Sequence, residues 1–107
     1  MRDKIEYRDP DGELVAQGEI DLLPGFACSL GWSHNALVLP EYRGKGFGTK
    51  AHQARLQRAK ELGYKHLLCA VRSDNVKQKR ILEKAGWYFL IRLETHCSTV
   101  ELWLVSL

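Results

Sequence analysis

A chain of 107 residues is long enough for one folded domain, and its 45% hydrophobic and 27% charged residues exclude a disordered or fibrous protein. No stretch approaches the roughly 18 consecutive apolar residues that cross a bilayer, and the start lacks the apolar centre of a signal peptide, so we expect one domain, residues 1–107, in the cytoplasm and without a membrane partner. The net charge is only +3, but residues 43–84 carry twelve Lys and Arg against three Asp and Glu, which favours a polyanionic ligand over the plainer alternative of a solvated basic face.

The first predicted element is a β-hairpin. Its strands are Ile5–Arg8 and Glu13–Leu23, and the turn between them, Asp9–Gly12, contains the proline and glycine that turn dihedral angles require. A short strand over Phe26–Leu30 and a buried strand over Asn35–Leu39 are predicted next. Gly31 is expected to interrupt the chain between them, and Pro40 to end the second.

Two helices follow, with a strand between them. Thr49–Leu62 has apolar residues mostly at helical spacing, although its apolar face is thin. The remaining predicted elements are an interior strand His66–Val71, a helix that begins after the N-cap candidates Ser73–Asn75 and ends at Gly86, and a terminal hairpin of Trp87–Leu93 and Val100–Val105. This order predicts an α+β fold with one mixed sheet.

The three cysteines predict neither a disulfide framework nor a metal site. Cys28, Cys69 and Cys97 are odd in number and far apart along the chain, whereas disulfides and zinc sites need paired or clustered ligands. We therefore expect reduced thiols and no bound metal.

The segment Arg43-Gly-Lys-Gly-Phe-Gly48, between a strand and a helix, predicts an anion site. Glycines permit positive φ angles and a close approach to the main chain, so several N–H groups can point into one concavity at the positive end of the helix. The order R-x-x-G-x-G fits neither the Rossmann turn nor the P-loop. The segment therefore indicates a phosphate-binding loop of another kind.

Val38-x-Pro-x-Tyr-Arg-Gly-Lys-Gly-Phe-Gly-Thr49 resembles the acetyl-coenzyme A pyrophosphate loop of the Gcn5-related N-acetyltransferase (GNAT) superfamily. A second block, Asn75–Trp87, is similar to a later helix of that family, and the spacing between the blocks also matches. The resemblance extends over residues 34–93. It implies a mixed, mostly antiparallel sheet flanked by two main helices.

The resemblance also implies a cofactor, acetyl-coenzyme A, and the residues that hold it. The loop amides would bind the pyrophosphate, the strand before Pro40 would pair with the pantetheine arm, and the thioester would lie between that strand and His66–Val71, which diverge in this family. Lys50, Lys79 and Arg80 are candidates for the outer phosphate. The implied cofactor-binding residues are Val38, Leu39, Arg43, Gly44, Lys45, Gly46, Phe47, Gly48, Thr49 and Asn75.

In this family an acceptor amine attacks the thioester directly, so the protein needs a base that deprotonates the ammonium and an acid that protonates the leaving thiolate. His34 is a candidate base, because imidazole titrates near neutral pH and strand alternation predicts that it shares a side with Ala36 and Val38. Glu19, on the preceding strand, is a second candidate. Many relatives have a tyrosine acid where this chain has Leu82, and a small residue where it has Gln78, whose side chain is large enough to crowd the arm. His52 and Arg55 occupy helix positions that are usually apolar in the family, which predicts that this helix packs against less than its relatives do.

The chain also resembles a short form of the family, because it enters the hairpin without the strand and two helices that usually precede it. The acceptor site would then be open, be built from residues 23–33 with Phe26 and Trp32, or be completed by a second copy or a partner protein. An open site favours a protein N-terminus or lysine over a small amine as acceptor.

Three functions remain open at this point. The leading one is an N-acetyltransferase that uses acetyl-coenzyme A. The alternative, favoured by Leu82 and Gln78, is a catalytically weak or inactive protein that binds the cofactor and serves in regulation or interaction. Nucleic-acid binding is least favoured, because aromatic residues do not alternate with the basic ones.

Overall fold

A computed structural model describes residues 2–23 and 29–107, with every side chain among them except that of residue 35. Its strands and helices, in chain order, are β1 (Arg2–Arg8), β2 (Leu14–Leu22), β3 (Leu30–Val38), α1 (Phe47–Glu61), β4 (His66–Arg72), α2 (Val76–Lys84), β5 (Tyr88–Glu94) and β6 (Thr99–Ser106). A 3-10 turn, Pro40–Tyr42, precedes α1. The alternation of strands and helices confirms the α+β class.

The described strands form one six-stranded sheet in the order β1-β2-β3-β4-β6-β5. The β3–β4 pair is parallel, and the other four pairs are antiparallel, which confirms a mixed and mostly antiparallel sheet. The connection from β3 to β4 runs through α1, as a parallel pair requires.

The first hairpin is confirmed, and its turn is held by one carboxylate. Asp9 Oδ1 accepts hydrogen bonds from the amides of Asp11 and Glu13, at 3.0 and 2.9 Å, and Gly12 has a φ of 85°. Asp and Gly are therefore needed here for local hydrogen bonding and for the left-handed dihedral angle.

Both helices pack on the same face of the sheet. The main core joins Ala59 of α1 and Leu82 of α2 to strand residues that alternate toward the helices, among them Ile20, Leu67 and Trp103. A smaller cluster of Val15, Ala16 and Ala51 lies beside the start of α1. In the part of the chain that the structure describes, no helix covers the opposite face of the sheet, which we call the bare face.

The sequence prediction was wrong about β3 in two respects. Gly31 does not interrupt the strand: it pairs with Leu22 and Leu67, and a Cβ there would lie 2.6 Å from Ile20 and 2.9 Å from Tyr64. The end of the strand is also not buried, since Leu37 is 40% exposed. The predicted strand over Phe26–Leu30 lies outside the described residues except at its end.

Candidate functional site

The loop that precedes α1 is a tight turn built on glycine. Gly44 and Gly46 have φ angles of 77° and 82°, and a Cβ at either position would meet no atom within 4 Å, so the backbone angle and not crowding favours glycine. The Nε of Arg43 donates to the carbonyl of Val38 at 2.9 Å and ties the loop to the end of β3. The loop is therefore held open with its main chain accessible.

The helix begins two residues earlier than the sequence predicted. The first amides of any helix have no intrahelical acceptor. In α1 the N-cap residue is Gly46, which has no side chain that could accept from them. These amides border a cavity of about 440 Å³, which we call the loop cleft. An anion placed there would receive hydrogen bonds from the helix start.

The loop cleft contains most of the residues predicted to bind a cofactor. Leu39 and Lys45 are not among its lining residues, and the amide of Leu39 donates instead to the carbonyl of Val15 at 2.9 Å. The cleft is lined by Val38, Tyr42, Arg43, Gly44, Gly46, Phe47, Gly48, Thr49, Asn75, Lys77, Gln78 and Ile81.

A second cavity opens where β3 and β4 separate. The two strands pair with each other over three residue pairs, from Leu30↔His66 to Trp32↔Leu68. Beyond these pairs β3 stays paired with β2 and β4 with β6, but not with each other. The gap contains a cavity of about 310 Å³, the wedge cleft. It is lined by Ser33, His34, Ala36, His52, Arg55, Cys69, Ala70, Val71, Arg72, Asn75, Gln78, Leu82 and Trp87.

Asn75 and Gln78 line both clefts, so the two cavities adjoin at the start of α2. Asn75 caps this helix, and its Oδ1 accepts from the amide of Gln78 at 3.2 Å. The half-buried side chain of Gln78 stands at the junction, where the sequence predicted that its bulk would crowd a bound arm. The two clefts therefore meet at these residues and together form one groove.

His34, the candidate base, borders the wedge cleft and pairs with a carboxylate that the sequence did not single out. Its Nε2 lies 2.8 Å from Asp21 Oδ2. Asp21 in turn accepts from Arg2 Nε at 2.9 Å, and Glu19 lies 3.0 Å from the same guanidinium. The hydrogen bond from Arg2 is the main reason that the pKa of Asp21 lies below its ordinary value. Partial burial acts in the opposite direction, and the hydrogen bond with His34 adds to the lowering.

The predicted placement of His34 was wrong, because β3 contains a bulge. Gln17 pairs with Leu37 and Glu19 with His34, so two residues of β3 stand opposite the single residue between Gln17 and Glu19. The extra residue reverses the alternation, and His34 lies on the opposite face from Val38. The groove therefore has its loop end on the helix face and the His34 network on the bare face.

His52 and Arg55 are both buried on the inner face of α1. His52 is 3% exposed, and its Nε2 accepts from the indole Nε1 of Trp87 at 2.8 Å. Burial, and secondarily the charge of Arg55, lowers the pKa of His52 to about 4. Arg55 is 7% exposed. The sequence analysis did not assign either residue to the site, although both share a helix face with the buried Ala59.

Leu82 occupies the core and also borders the wedge cleft, at 1% exposure. The cleft wall contains Cys69 as well, and burial raises the pKa of its thiol to about 12, so it stays protonated at neutral pH. Lys79 is not available to an outer phosphate, because its Nζ lies 3.3 Å from the buried carboxylate of Glu101.

In residues 2–23 and 29–107, neither helix is long and apolar enough to span a membrane. Among the side chains that the structure describes, no group of three His, Cys, Asp or Glu is placed to hold a metal ion.

One family model matches the sequence, and several solved structures resemble the fold. The sequence profile of the acetyltransferase (GNAT) family matches residues 6–87. A single-residue variant of the spermidine N-acetyltransferase SpeG from Vibrio cholerae has a similar structure, with a TM-score of 0.85 at 16% identity over 98% of this chain and 65% of its own. An IAA acetyltransferase from Bacillus cereus has a TM-score of 0.72 at 16% identity, over 90% of this chain and 72% of its own.

At these identities the structural likeness is one of fold alone, and the chain spans less than two thirds of the length of the first of these structures. No curated protein matches the sequence.

Proposed function

The chain belongs to the acetyltransferase (GNAT) family, and from this premise we propose that it is an N-acetyltransferase that moves an acetyl group from acetyl-coenzyme A to an amine. The observation that carries the proposal is the continuous groove. It runs from the glycine loop at the start of α1 to the gap between β3 and β4, through Asn75 and Gln78.

The residues of the groove fit acetyl-coenzyme A. The free amides of Phe47, Gly48 and Thr49 at the start of α1 suit a pyrophosphate, and Arg43 and Lys77 add positive charge around it. Beyond the three pairs that β3 shares with β4, the exposed edge of β3 can pair with an extended arm. When bound, the cofactor supplies an activated acyl group as a thioester.

His34 is the proposed base for the incoming ammonium. With Nε2 engaged by Asp21, the Nδ1 atom of His34 can accept a proton at the wedge cleft. The carboxylate of Asp21 would remain hydrogen-bonded to the ring during this transfer. In this arrangement Asp21 orients the base, and Glu19 is a second acidic group beside it and not the base itself.

The acidic pair Glu19 and Asp21 also favours a cationic acceptor. The structural neighbour SpeG is a spermidine N-acetyltransferase by name, and an amine of that kind would be attracted to these carboxylates. A protein N-terminus or a lysine side chain carries the same charge. We therefore propose an amine acceptor, protein or small molecule, that approaches from the bare face of the sheet, with a second copy or a partner protein as a further wall of that site.

The direct test is release of coenzyme A thiol when the purified chain is incubated with acetyl-coenzyme A and panels of peptides, polyamines and amino acids. We expect release with at least one class and loss of most of it in His34→Gln. Glu19→Gln is the matched control and should retain more activity. Silence across all panels, with the cofactor bound, would overturn the enzymatic proposal.

A second candidate function rests on Leu82 and Gln78. The core position of Leu82 offers no proton to a leaving thiolate, and Gln78 narrows the groove, so a protein that binds acetyl-coenzyme A without efficient transfer also fits. Calorimetric binding without thiol release would favour this regulatory alternative. Substitution Gln78→Ala should then tighten binding of the cofactor by widening the groove.

A further inference from the structure

The wedge cleft contains a buried guanidinium that meets no carboxylate. Arg55 is 7% exposed, and among the described residues no carboxylate or carbonyl accepts a hydrogen bond from it. Its side chain packs against β2, where a Cβ added to Gly18 would lie 2.9 Å from the Nε of Arg55. Charged groups in protein interiors are normally paired, since desolvation of a lone charge is costly.

The ring of His52, one helical turn before Arg55 in α1, carries a second unpaired donor. Because an indole N–H can only donate, the Nε2 of His52 must be the acceptor, and the neutral ring therefore carries its proton on Nδ1. This Nδ1 is buried and has no hydrogen-bond partner among the residues that the structure describes. His52 and Arg55 thus present unmatched donors from the same face of α1.

The lining of the wedge cleft has a cationic bias that comes from Arg55. None of its lining residues is an aspartate or a glutamate, and its other arginine, Arg72, pairs with Asp74 at 3.3 Å. Two histidines, His34 and His52, complete its set of titratable groups together with Cys69. A carboxylate bound in the cleft would receive charge-assisted hydrogen bonds that a methyl group could not use.

The position of Arg55 assigns this carboxylate to the acyl donor and not to the acceptor. Arg55 projects from α1 on the helix face of the sheet, the same face as the loop cleft at the start of that helix. The acidic network of Glu19, Asp21 and His34 lies on the other face. An anionic acceptor would have to pass those carboxylates. The acyl donor instead enters along the loop cleft, which is lined by Arg43 and Lys77.

We infer that the wedge cleft accepts coenzyme A thioesters whose acyl chain ends in a carboxylate, such as malonyl or succinyl, in preference to acyl groups of equal length that end in a methyl. This inference rests on the proposed function, because it takes the groove to hold a coenzyme A thioester. The guanidinium of Arg55 is the specificity-determining group.

The test is calorimetric binding of matched ligand pairs to the full chain: malonyl- against propionyl-coenzyme A, and succinyl- against butyryl-coenzyme A. We expect the carboxylated member of at least one pair to bind about tenfold or more tightly. The same preference should fall to near unity in Arg55→Met, and survive in part in Arg55→Lys, which keeps the charge without the planar fork. Each preference is the ratio of the two affinities within one pair, so a change that affects both members of a pair equally does not alter it.

Equal affinity within both pairs, or a preference that persists in Arg55→Met, would overturn the inference. Failure of coenzyme A itself to bind would instead overturn the proposed function, so the two failures are distinguishable. Titration of free succinate and glutamate into the complex with coenzyme A tests whether the carboxylate belongs to the donor or to the acceptor. If glutamate binds only when Arg55 is present, and the native chain shows no preference between acyl groups, the site belongs to the acceptor and the inference is overturned. If Arg55→Met does not fold, the ligand pairs on the native chain decide alone.

Discussion

His52 links α1 to Trp87, the residue before β5, because its Nε2 accepts the hydrogen bond of the Trp87 indole in the core. Burial is the main reason that the pKa of His52 falls to about 4, and the charge of Arg55 is the second. The unfolded chain takes up a proton at this residue near pH 6.5, but the folded chain does so only near pH 4. Stability is therefore full above pH 6.5 and is lost as the pH falls through this window.

We predict that the free energy of unfolding falls by about 2 to 3 kcal/mol through His52 alone between pH 7 and about pH 4.5. His52→Gln keeps an acceptor for the Trp87 indole and removes the titration, so its unfolding free energy should depend less on pH by this amount. Urea denaturation at both pH values measures the difference. His96→Gln, an exposed histidine, is the control; the prediction is wrong if both variants behave alike.

Gly46 is the residue at which the loop and the helix meet, and its φ of 82° favours glycine before any ligand is considered. Gly46→Glu should weaken binding of coenzyme A by at least about tenfold, because the carboxylate would stand where the amides of α1 attract an anion. Calorimetry measures the affinity.

The matched control for this change is Gly12→Glu. Gly12 has a φ of 85° and equally open surroundings, but it lies in the hairpin turn between β1 and β2. The two variants should lose similar stability, on the order of 1 kcal/mol, from the left-handed backbone. Only the Gly46 variant should lose affinity. Unchanged affinity there would show that the loop does not hold the cofactor.

At the scale of elements, a buried carboxylate fastens α2 and β5 to β6. Glu101 Oε2 lies 3.3 Å from Lys79 Nζ and 3.1 Å from Arg92 Nη2, while Oε1 accepts from the Trp103 indole at 3.1 Å. Burial by itself would raise the pKa of Glu101, but these hydrogen bonds outweigh it and the net pKa is lowered. The helix that supplies Asn75 and Gln78 to the groove is held in place partly by this contact.

We predict that Glu101→Ala destabilises the fold by about 3 kcal/mol, because it removes the partner of a partly buried ammonium and leaves an indole N–H unpaired. Arg92→Ala should cost less than about 1 kcal/mol, since that guanidinium is mostly exposed. Thermal or urea unfolding distinguishes the two. Equal losses would contradict the role assigned to the buried carboxylate.

The sequence predicted elements well where glycine, proline or a capping residue set their ends. The turn at Asp9–Gly12 and the caps at Asn75 and Gly86 are local chemistry, and they lie where expected. The bulge in β3 was not predictable, because it is fixed by pairing with β2 and leaves no mark in composition. The burial of Arg55 also ran against the general preference of arginine for the surface.

At the scale of the whole molecule, opposite charges lie at the two ends of the groove. Arg43 and Lys77 line the loop cleft, and Lys50 lies 5.9 Å from the ring centroid of Phe47 beside it. Glu19 and Asp21 lie on the bare face, beside His34. Three basic residues of the block 43–84, Arg43, Lys50 and Lys77, therefore lie at the end of the groove where we propose that the cofactor binds. A polyanionic ligand is drawn to one end and a cation to the other.

Binding of coenzyme A should therefore weaken with salt. Between about 0.05 M and about 0.5 M sodium chloride we expect the affinity to fall roughly tenfold, because exposed charges are screened over this range. Pantetheine, which lacks the phosphates, should bind more weakly and with little salt dependence. Calorimetry at both salt concentrations tests this, and equal salt dependence of the two ligands would contradict an electrostatic loop cleft.

The separation of β3 from β4 has a mechanical consequence. These strands share three residue pairs, whereas β1–β2 and β4–β6 each share seven, so the sheet consists of two stiff halves joined by a short seam. A ligand that contacts both halves acts as a brace across this seam. Its binding should slow amide hydrogen exchange in the parts of β3 and β4 that do not pair with each other, including amides that the ligand does not contact.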